Sequence, residues 1–311
     1  MADRLLQAAS MAWIVKAFLR VLLLSIVLVN LGVQSEMEGT LLFLHVWKCG
    51  GTTLRQLMCD WANREGLPCA TVAACRRLSL KQRKICLMDH HLISPDIQSA
   101  FIANQRVLAG HFRWGFHEYA AEPHLIVTTL RNPLELYVSG EQYLNRATTA
   151  TLPAATRHVD NAMRSSLERH SKLPGFLHRL VGRSVKTSAE IRLATVEGAI
   201  NLQTFWLVGV VEQYTGFISV MRALIDSSNA HADLWEPHFK HKLNASPVQS
   251  PNVLASLDPD LVQQFNSTLS YQWLMYGHAV RLFTSRCREV LPRDLHVELC
   301  NVPSPPVTYV L

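Results

Sequence analysis

Residues 124–130 read His-Leu-Ile-Val-Thr-Thr-Leu and stop at Arg131-Asn132-Pro133. An apolar, β-branched run of this length, without polar alternation, is the pattern of a strand buried on both faces. Pro133 then suits the first position of a helix, where its missing N–H is no loss, and the helical pattern continues to about Arg146. Similar short apolar runs occur at Thr40–Val46, Arg106–Gly110 and Trp206–Val211. Between them lie helical patterns at Thr52–Arg64, with Leu54, Leu57, Met58 and Trp61 on one face, and at Tyr214–Asn229. A basic helical stretch is expected over Thr156–Ala194, broken at Pro174-Gly175. His238–Pro259 reads as a polar loop, followed by helices at about Asp258–Thr268 and Leu269–Arg286. Strands alternating with helices predict an α/β fold with a mainly parallel central sheet flanked by helices. A content of 49% hydrophobic and 17% charged residues excludes a disordered chain.

The N-terminal segment bears on compartment. Met11–Val33 is apolar apart from Lys16, Arg20, Ser25 and Asn30. At about 1.5 Å per residue it reaches roughly 34 Å, against a hydrocarbon core of about 30 Å. Arg4, Lys16 and Arg20 precede the strictly uncharged part, Val21–Ser35, while Glu36 and Glu38 follow it. By the positive-inside rule, the N-terminus faces the cytosol and the rest the opposite side. A signal peptide cleaved after Ser35 is the alternative. Either reading divides the chain at residue 35 and makes 36–311 one lumenal or extracellular domain. All seven cysteines, at 49, 59, 69, 75, 86, 287 and 300, lie in that portion. An oxidising lumen predicts that some pair, and the odd count leaves at least one over. No Cys/His zinc spacing is present, so no metal is expected. Asn244-Ala-Ser and Asn266-Ser-Thr are sequons.

The strongest chemical signal follows the first strand: His45-Val-Trp-Lys48-Cys49-Gly50-Gly51-Thr52-Thr53-Leu54. A strand enters a glycine-rich turn that opens into a helix. Helix N-termini present unpaired N–H groups and partial positive charge, which suits phosphate. Thr52 and Thr53 add hydroxyls and Lys48 a mobile charge. A capped turn with a surface lysine is the simpler alternative. The lysine precedes the glycines, so this is not the Walker A order. No G-x-G-x-x-G dinucleotide fingerprint occurs either.

This segment resembles the 5′-phosphosulfate loop of sulfotransferases that use 3′-phosphoadenylyl sulfate (PAPS). It is closest to the K-T-G-G-T-T form of Golgi carbohydrate sulfotransferases such as the heparan sulfate 2-O- and 6-O-enzymes, with Cys49 in place of Thr. Arg131 followed by Ser139 resembles their 3′-phosphate motif. Here Asn132 replaces the commoner Asp, and Leu136 stands where many relatives carry Arg. Gly110-His111-Phe112-Arg113-Trp114 resembles the segment that supplies a catalytic histidine. Asn201-Leu-Gln-Thr204 and Val208-Gly209-Val-Val-Glu212 match scaffold segments. His241-Lys242-Leu243-Asn244-Ala-Ser246 resembles a loop that closes over the nucleotide.

The resemblance implies a P-loop-like three-layer fold and a Golgi membrane protein with a lumenal catalytic domain. PAPS would be the co-substrate, held by Lys48, Cys49, Gly50, Gly51, Thr52, Thr53, Arg131, Ser139, Lys242 and Ser246. It implies sulfuryl transfer to a glycan hydroxyl, with His111 as base and Lys48 stabilising the leaving group. His117, His90 and His91 are the other candidates for the base. The acceptor is an anionic or neutral glycan. Arg76, Arg77, Lys81, Arg83 and Lys84, or the basic run Arg164–Lys186, would line its groove, with Arg113 and Trp114 beside the base. The membrane is met through the N-terminal segment. Nucleic acid is not expected, since no basic module interleaved with aromatics appears. No oligomeric state is indicated. The rival functions are a lumenal glycan- or nucleotide-binding relative without turnover, and a nucleotide kinase with an altered P-loop.

Overall fold

A computed structural model describes residues 38–73, 84–86, 102–145, 149–168, 176–240 and 248–302. The chain is a three-layer α/β protein whose central sheet has six parallel strands in the order β3-β2-β4-β1-β5-β6. These are β1 Thr40–Leu44, β2 Cys69–Ala73, β3 Lys84–Cys86, β4 Val107–Gly110, β5 His124–Leu130 and β6 Leu207–Val210. Every residue of β1, β4 and β6 is buried, as is β5 from Ile126 onward. Both faces of these strands are covered, so their sequences run apolar without alternation. The register aligns their ends: Leu44 lies between Gly110 of β4 and Thr128 of β5. The chain leaves β1 toward the β3 edge and leaves β5 toward the β6 edge. A crevice at such a switch point, outside the strands' carboxyl ends, is the usual ligand site of open α/β sheets.

Helix α1, Gly51–Arg64, packs on β2 and β4 and buries Leu54, Leu57, Met58 and Trp61, the face its periodicity predicts. Helix α2, Pro133–Leu144, begins at the predicted proline, capped by Asn132, whose Oδ1 accepts from the amides of Leu134 and Glu135. The long basic stretch is three helices: α3 Leu152–Glu168, α4 Leu177–Leu180 and α5 Ser188–Gln203. Its expected break at 174–175 lies outside the described residues. A second break follows α4, because Thr187 and Glu190 form a capping box that starts α5 afresh. Helix α6, Tyr214–Ile225, follows β6 through a short 3₁₀ turn.

Several elements differ from expectation. Strands β2 and β3 were not expected, since Cys-Ala-Thr-Val-Ala has little bulk and Lys-Ile-Cys is only a single ladder's width. The region read as a loop contains the end of helix α7, Ala232–Lys240, and all of helix α8, Ser250–Ala255. Proline, a helix breaker by local chemistry, here sits in helices. Pro237 is accommodated within α7, and α8 has its proline at the helix start, where it is favourable. Helix α7 is held by tertiary contacts rather than propensity. Trp235 is fully buried and its indole N–H donates to Asp226 at 2.9 Å. Helices α9, Pro259–Ser267, and α10, Ser270–Val290, close the fold, and α10 packs on β6, α5 and α6. The Asn266 sequon lies inside α9, with Oδ1 accepting from the Trp273 indole, instead of in the loop that glycosylation favours. No helix among the described residues is long and apolar enough to cross a membrane. The segment expected to do so, residues 11–33, lies outside them, as do the Pro303–Pro306 tail and the Asn244 sequon.

Two disulfides are formed among the described residues. Cys59–Cys69 ties α1 to β2, and Cys287–Cys300 ties the last turn of α10 to the turn beyond it. Cys49 is a free, buried thiol. A closed loop of the size that Cys287 and Cys300 define stabilises by about 3 kcal/mol, chiefly by restricting the unfolded chain. Replacing both with Ser should lower unfolding free energy by about that amount in non-reducing denaturant titrations.

Candidate active site at the carboxyl ends of β4, β1 and β5

Two buried threonines of β5 brace the turn after β1. Thr128 Oγ1 donates to the Leu44 carbonyl at 2.8 Å, and Thr129 Oγ1 donates to the Cys49 carbonyl at 2.6 Å. Between them the backbone bends sharply. Lys48 has φ 62° and Gly50 φ 74°, both left-handed. A non-glycine residue in that region costs roughly 1–2 kcal/mol, and such strain gathers at functional sites. Gly50 is the N-cap of α1, with no side-chain cap, and the first turn contains no acidic residue. The opening amides of α1 therefore receive no side-chain cap from residue 50 and keep the dipole's positive end. A Cβ on Gly51 would collide with the His45 imidazole, so residue 51 must be glycine for the helix to start here.

Lys48 and its neighbour Trp47 lean on α2. The Lys48 ammonium lies 4.5 Å from the centroid of Tyr143, a cation–π contact. Trp47 meets the same ring edge-on, centroids 5.7 Å apart. Cys49 is fully buried and its amide donates back to the Val46 carbonyl. Its thiol therefore faces inward, and burial pushes its pKa well up. Thr53 is buried, while Thr52 stays partly exposed. Of the two threonine hydroxyls, that of Thr52 is the more available.

His111 follows β4 directly and is half-buried. Its Nδ1 lies 3.0 Å from the His45 carbonyl oxygen. A carbonyl only accepts, so the proton sits on Nδ1 and the neutral ring carries its lone pair on Nε2. The imidazole of His45 stacks on His111 with centroids 4.0 Å apart, and Phe43 stacks on His45 in turn. Burial, more than anything else, lowers the pKa of both histidines. For His111 its hydrogen bond to His45 opposes this, and the cations of Arg179 and Arg55 reinforce it. At neutral pH His111 is thus an unprotonated base with a defined tautomer. Arg179, on α4, donates from Nη1 to the carbonyls of His111 at 3.0 Å and Phe112 at 3.4 Å. It crosses from the basic stretch to hold the segment that follows β4.

Arg131 leaves the end of β5 one strand away from the β1 turn. Its Nη2 donates to Glu135 Oε2 at 2.9 Å, one turn into α2. Its Nε is buried and meets no acceptor among the described residues. Glu212, just beyond β6, fixes the backbone here. One oxygen accepts the Asn132 amide at 2.8 Å and the other the Tyr276 hydroxyl at 2.8 Å. Burial raises the Glu212 pKa, and those two donors oppose the rise. Cys49 lies within electrostatic range of Lys48, Arg131 and Glu212, which places the turn and the β5 end in one neighbourhood. Ser139 is buried on α2, one turn before Tyr143.

The structure thus gathers Lys48, Cys49, Gly50, Gly51, Thr52, Thr53, His111 and Arg131 at three neighbouring strand ends, and sets Ser139 in the adjoining helix. Lys242, Ser246, His90, His91, Arg76, Arg77, Lys81 and Arg83 lie outside the described residues. His117 packs against Trp114 and His124. Trp114 stacks on Phe205, so both belong to an aromatic cluster. Arg164 and Arg183 of the basic stretch form surface pairs with Asp160 and Glu197, the pattern of a solvated face. His45, Arg55, Tyr143 and Glu135 carry no sequence signal of a role, and Arg179, expected within the basic run only as a groove residue, instead holds the segment after β4. Residue spacing holds no signal for the contact of Arg179 with His111, because it crosses 68 residues. Among the described residues, no group of three His, Cys, Asp or Glu could hold a metal. In sequence, the chain matches no family model and no curated protein.

Gly51→Ala should distort the turn, since the added methyl enters the volume of His45. Overpacking of this kind costs about 1–3 kcal/mol. The variant should show that loss by chemical denaturation and should lose anion binding at the turn, whereas Gly66→Ala, in open space beyond α1, should leave anion binding intact.

Proposed function

We propose that the chain is a sulfotransferase that moves the sulfuryl group of PAPS to a carbohydrate hydroxyl. One observation carries the reading: the lysine turn, His111 and Arg131 emerge side by side from β1, β4 and β5, adjacent strands about 4.8 Å apart. A single nucleotide can reach both cationic ends of such a crevice. The α1 amides and Lys48 would take the 5′-phosphosulfate. Arg131 would take the 3′-phosphate, with Ser139 in support. Cys49 contributes packing rather than a hydroxyl. Lys242 and Ser246 would complete the nucleotide site.

The chemistry follows from the groups present. The Nε2 of His111 removes the acceptor hydroxyl proton as that oxygen attacks sulfur. The bond from sulfur to the 5′-phosphate oxygen breaks in line, and adenosine 3′,5′-bisphosphate leaves. Lys48 meets the charge growing on that oxygen, where electrostatic stabilisation contributes most. To do so it must leave the face of Tyr143. The cations of Arg55, Arg113 and Arg179 around the base favour an acceptor of anionic character. The compartment expected from the N-terminal segment, a Golgi lumen reached as a single-pass type II protein, suits a glycan acceptor. The disulfides Cys59–Cys69 and Cys287–Cys300 accord with an oxidising lumen.

Thermal-shift titration should show adenosine 3′,5′-bisphosphate stabilising the chain more than AMP. Equal shifts, or tight ATP binding with no need for a 3′-phosphate, would instead indicate a nucleotide kinase. Lys48→Ala and His111→Ala should each remove labelled-sulfate transfer from PAPS by at least a hundredfold while the fold persists. Absence of transfer by the native chain, with bisphosphate binding retained, would identify a binding protein. The pH profile has a definite sign. His111 must be neutral to act and its pKa lies below the ordinary value of about 6.5. The acid limb of kcat/KM should therefore fall below pH 6.5, with full activity above it.

A further inference from the structure

The cation proposed to grip the 3′-phosphate already has an anionic partner. The Arg131 guanidinium and the Glu135 carboxylate are 2.9 Å apart, with side chains only 15% and 20% exposed. A second carboxylate, Glu212, lies near enough to Glu135 for the two to repel. Cys49 is in electrostatic range of both Arg131 and Glu212, so one guanidinium serves a neighbourhood with two acids. A phosphate reaching Arg131 adds further negative charge to that balance, and like charges at close range resist it.

The two carboxylates differ in freedom. Glu212 is fixed at both oxygens by groups from separate elements, the Asn132 amide and the Tyr276 hydroxyl. The Glu135 side chain makes one hydrogen bond among the described residues, to Arg131. It stands in the first turn of α2, where a negative charge is favoured without that bond. Glu135 can therefore swing away from the guanidinium, whereas Glu212 is held where it stands.

We infer that Glu135 is a displaceable placeholder for phosphate: it holds Arg131 in the ligand-free chain and sets how strongly the site selects a nucleotide bearing a 3′-phosphate. This inference rests on the sulfotransferase reading and assigns a specificity-determining residue to the same site. Arg131 stays paired in either state, so its buried charge is never left uncompensated. Binding at this end is an exchange of anions, and its strength reflects the difference between phosphate and carboxylate. A residue that merely oriented Arg131 would have the opposite effect when removed.

Isothermal titration of the full chain with adenosine 3′,5′-bisphosphate and with AMP separates these roles. Glu135→Gln and Glu135→Ala should each bind the bisphosphate about tenfold more tightly than the native chain, equivalent to about 1.4 kcal/mol. AMP affinity should stay within twofold, and it also reports that each variant is folded. Unchanged or weaker bisphosphate binding in both variants overturns the inference, and so does equal tightening toward both nucleotides. If neither the native chain nor the variants distinguish bisphosphate from AMP, the sulfotransferase reading falls with it. If the native chain distinguishes them and the variants gain nothing, only the role of Glu135 falls.

Discussion

Parallel pairing of β1 between β4 and β5 underlies everything at the candidate site. Because the three strands run the same way, their carboxyl ends open on one side, and Leu44, Gly110 and Thr128 fall level. Each strand then delivers one type of group: a turn of amides with an ammonium, an imidazole, and a guanidinium. Antiparallel pairing of any one strand would send its group to the far side of the sheet. The buried hydroxyls of Thr128 and Thr129 reinforce the arrangement, bonding the Leu44 and Cys49 carbonyls across the β1–β5 seam. Polar side chains thus stand in an otherwise apolar strand because backbone acceptors next door require donors.

The site divides electrostatically. Around the imidazole pair the charged neighbours are cations: Arg55, Arg179 and Lys48. They favour a neutral His111 and an incoming anion. Around Arg131 the balance includes two carboxylates, Glu135 and Glu212, and Glu212 also holds the start of α2 in place. The surroundings of the imidazole pair are therefore positive, and those of Arg131 close to compensated.

Much of this organisation was legible in the sequence. Strands with bulky, uninterrupted apolar runs were evident, since burial on both faces leaves that imprint. The same holds for the start of α2 at Pro133 and for the glycine turn before α1. Strands β2 and β3 were hidden because small residues and short length leave no periodicity. Helices α7 and α8 were hidden because proline signals a break from local chemistry alone, while Trp235 and Asp226 supply the stabilisation from elsewhere. At the site, Lys48 is marked by its glycine turn, and His111 and Arg131 by the resemblance of their segments to sulfotransferase motifs. The stacking of His45, the reach of Arg179 and the hold of Glu135 on Arg131 could not. The first two depend on folding distant segments together. The third looks like an ordinary helical ion pair until its burial is known.

The contact between residue 51 and the imidazole of His45 has a wider consequence. The first residue of α1 rests against His45, and His45 rests against His111. The glycine turn and the His111 imidazole are therefore a single mechanical body. Neither can be retuned by drift at one position, because enlarging residue 51 demands a smaller residue 45, and shrinking residue 45 unseats the base. Such a chain can diversify its outer loops freely, yet at this junction it has to move by coordinated double replacement or stand still.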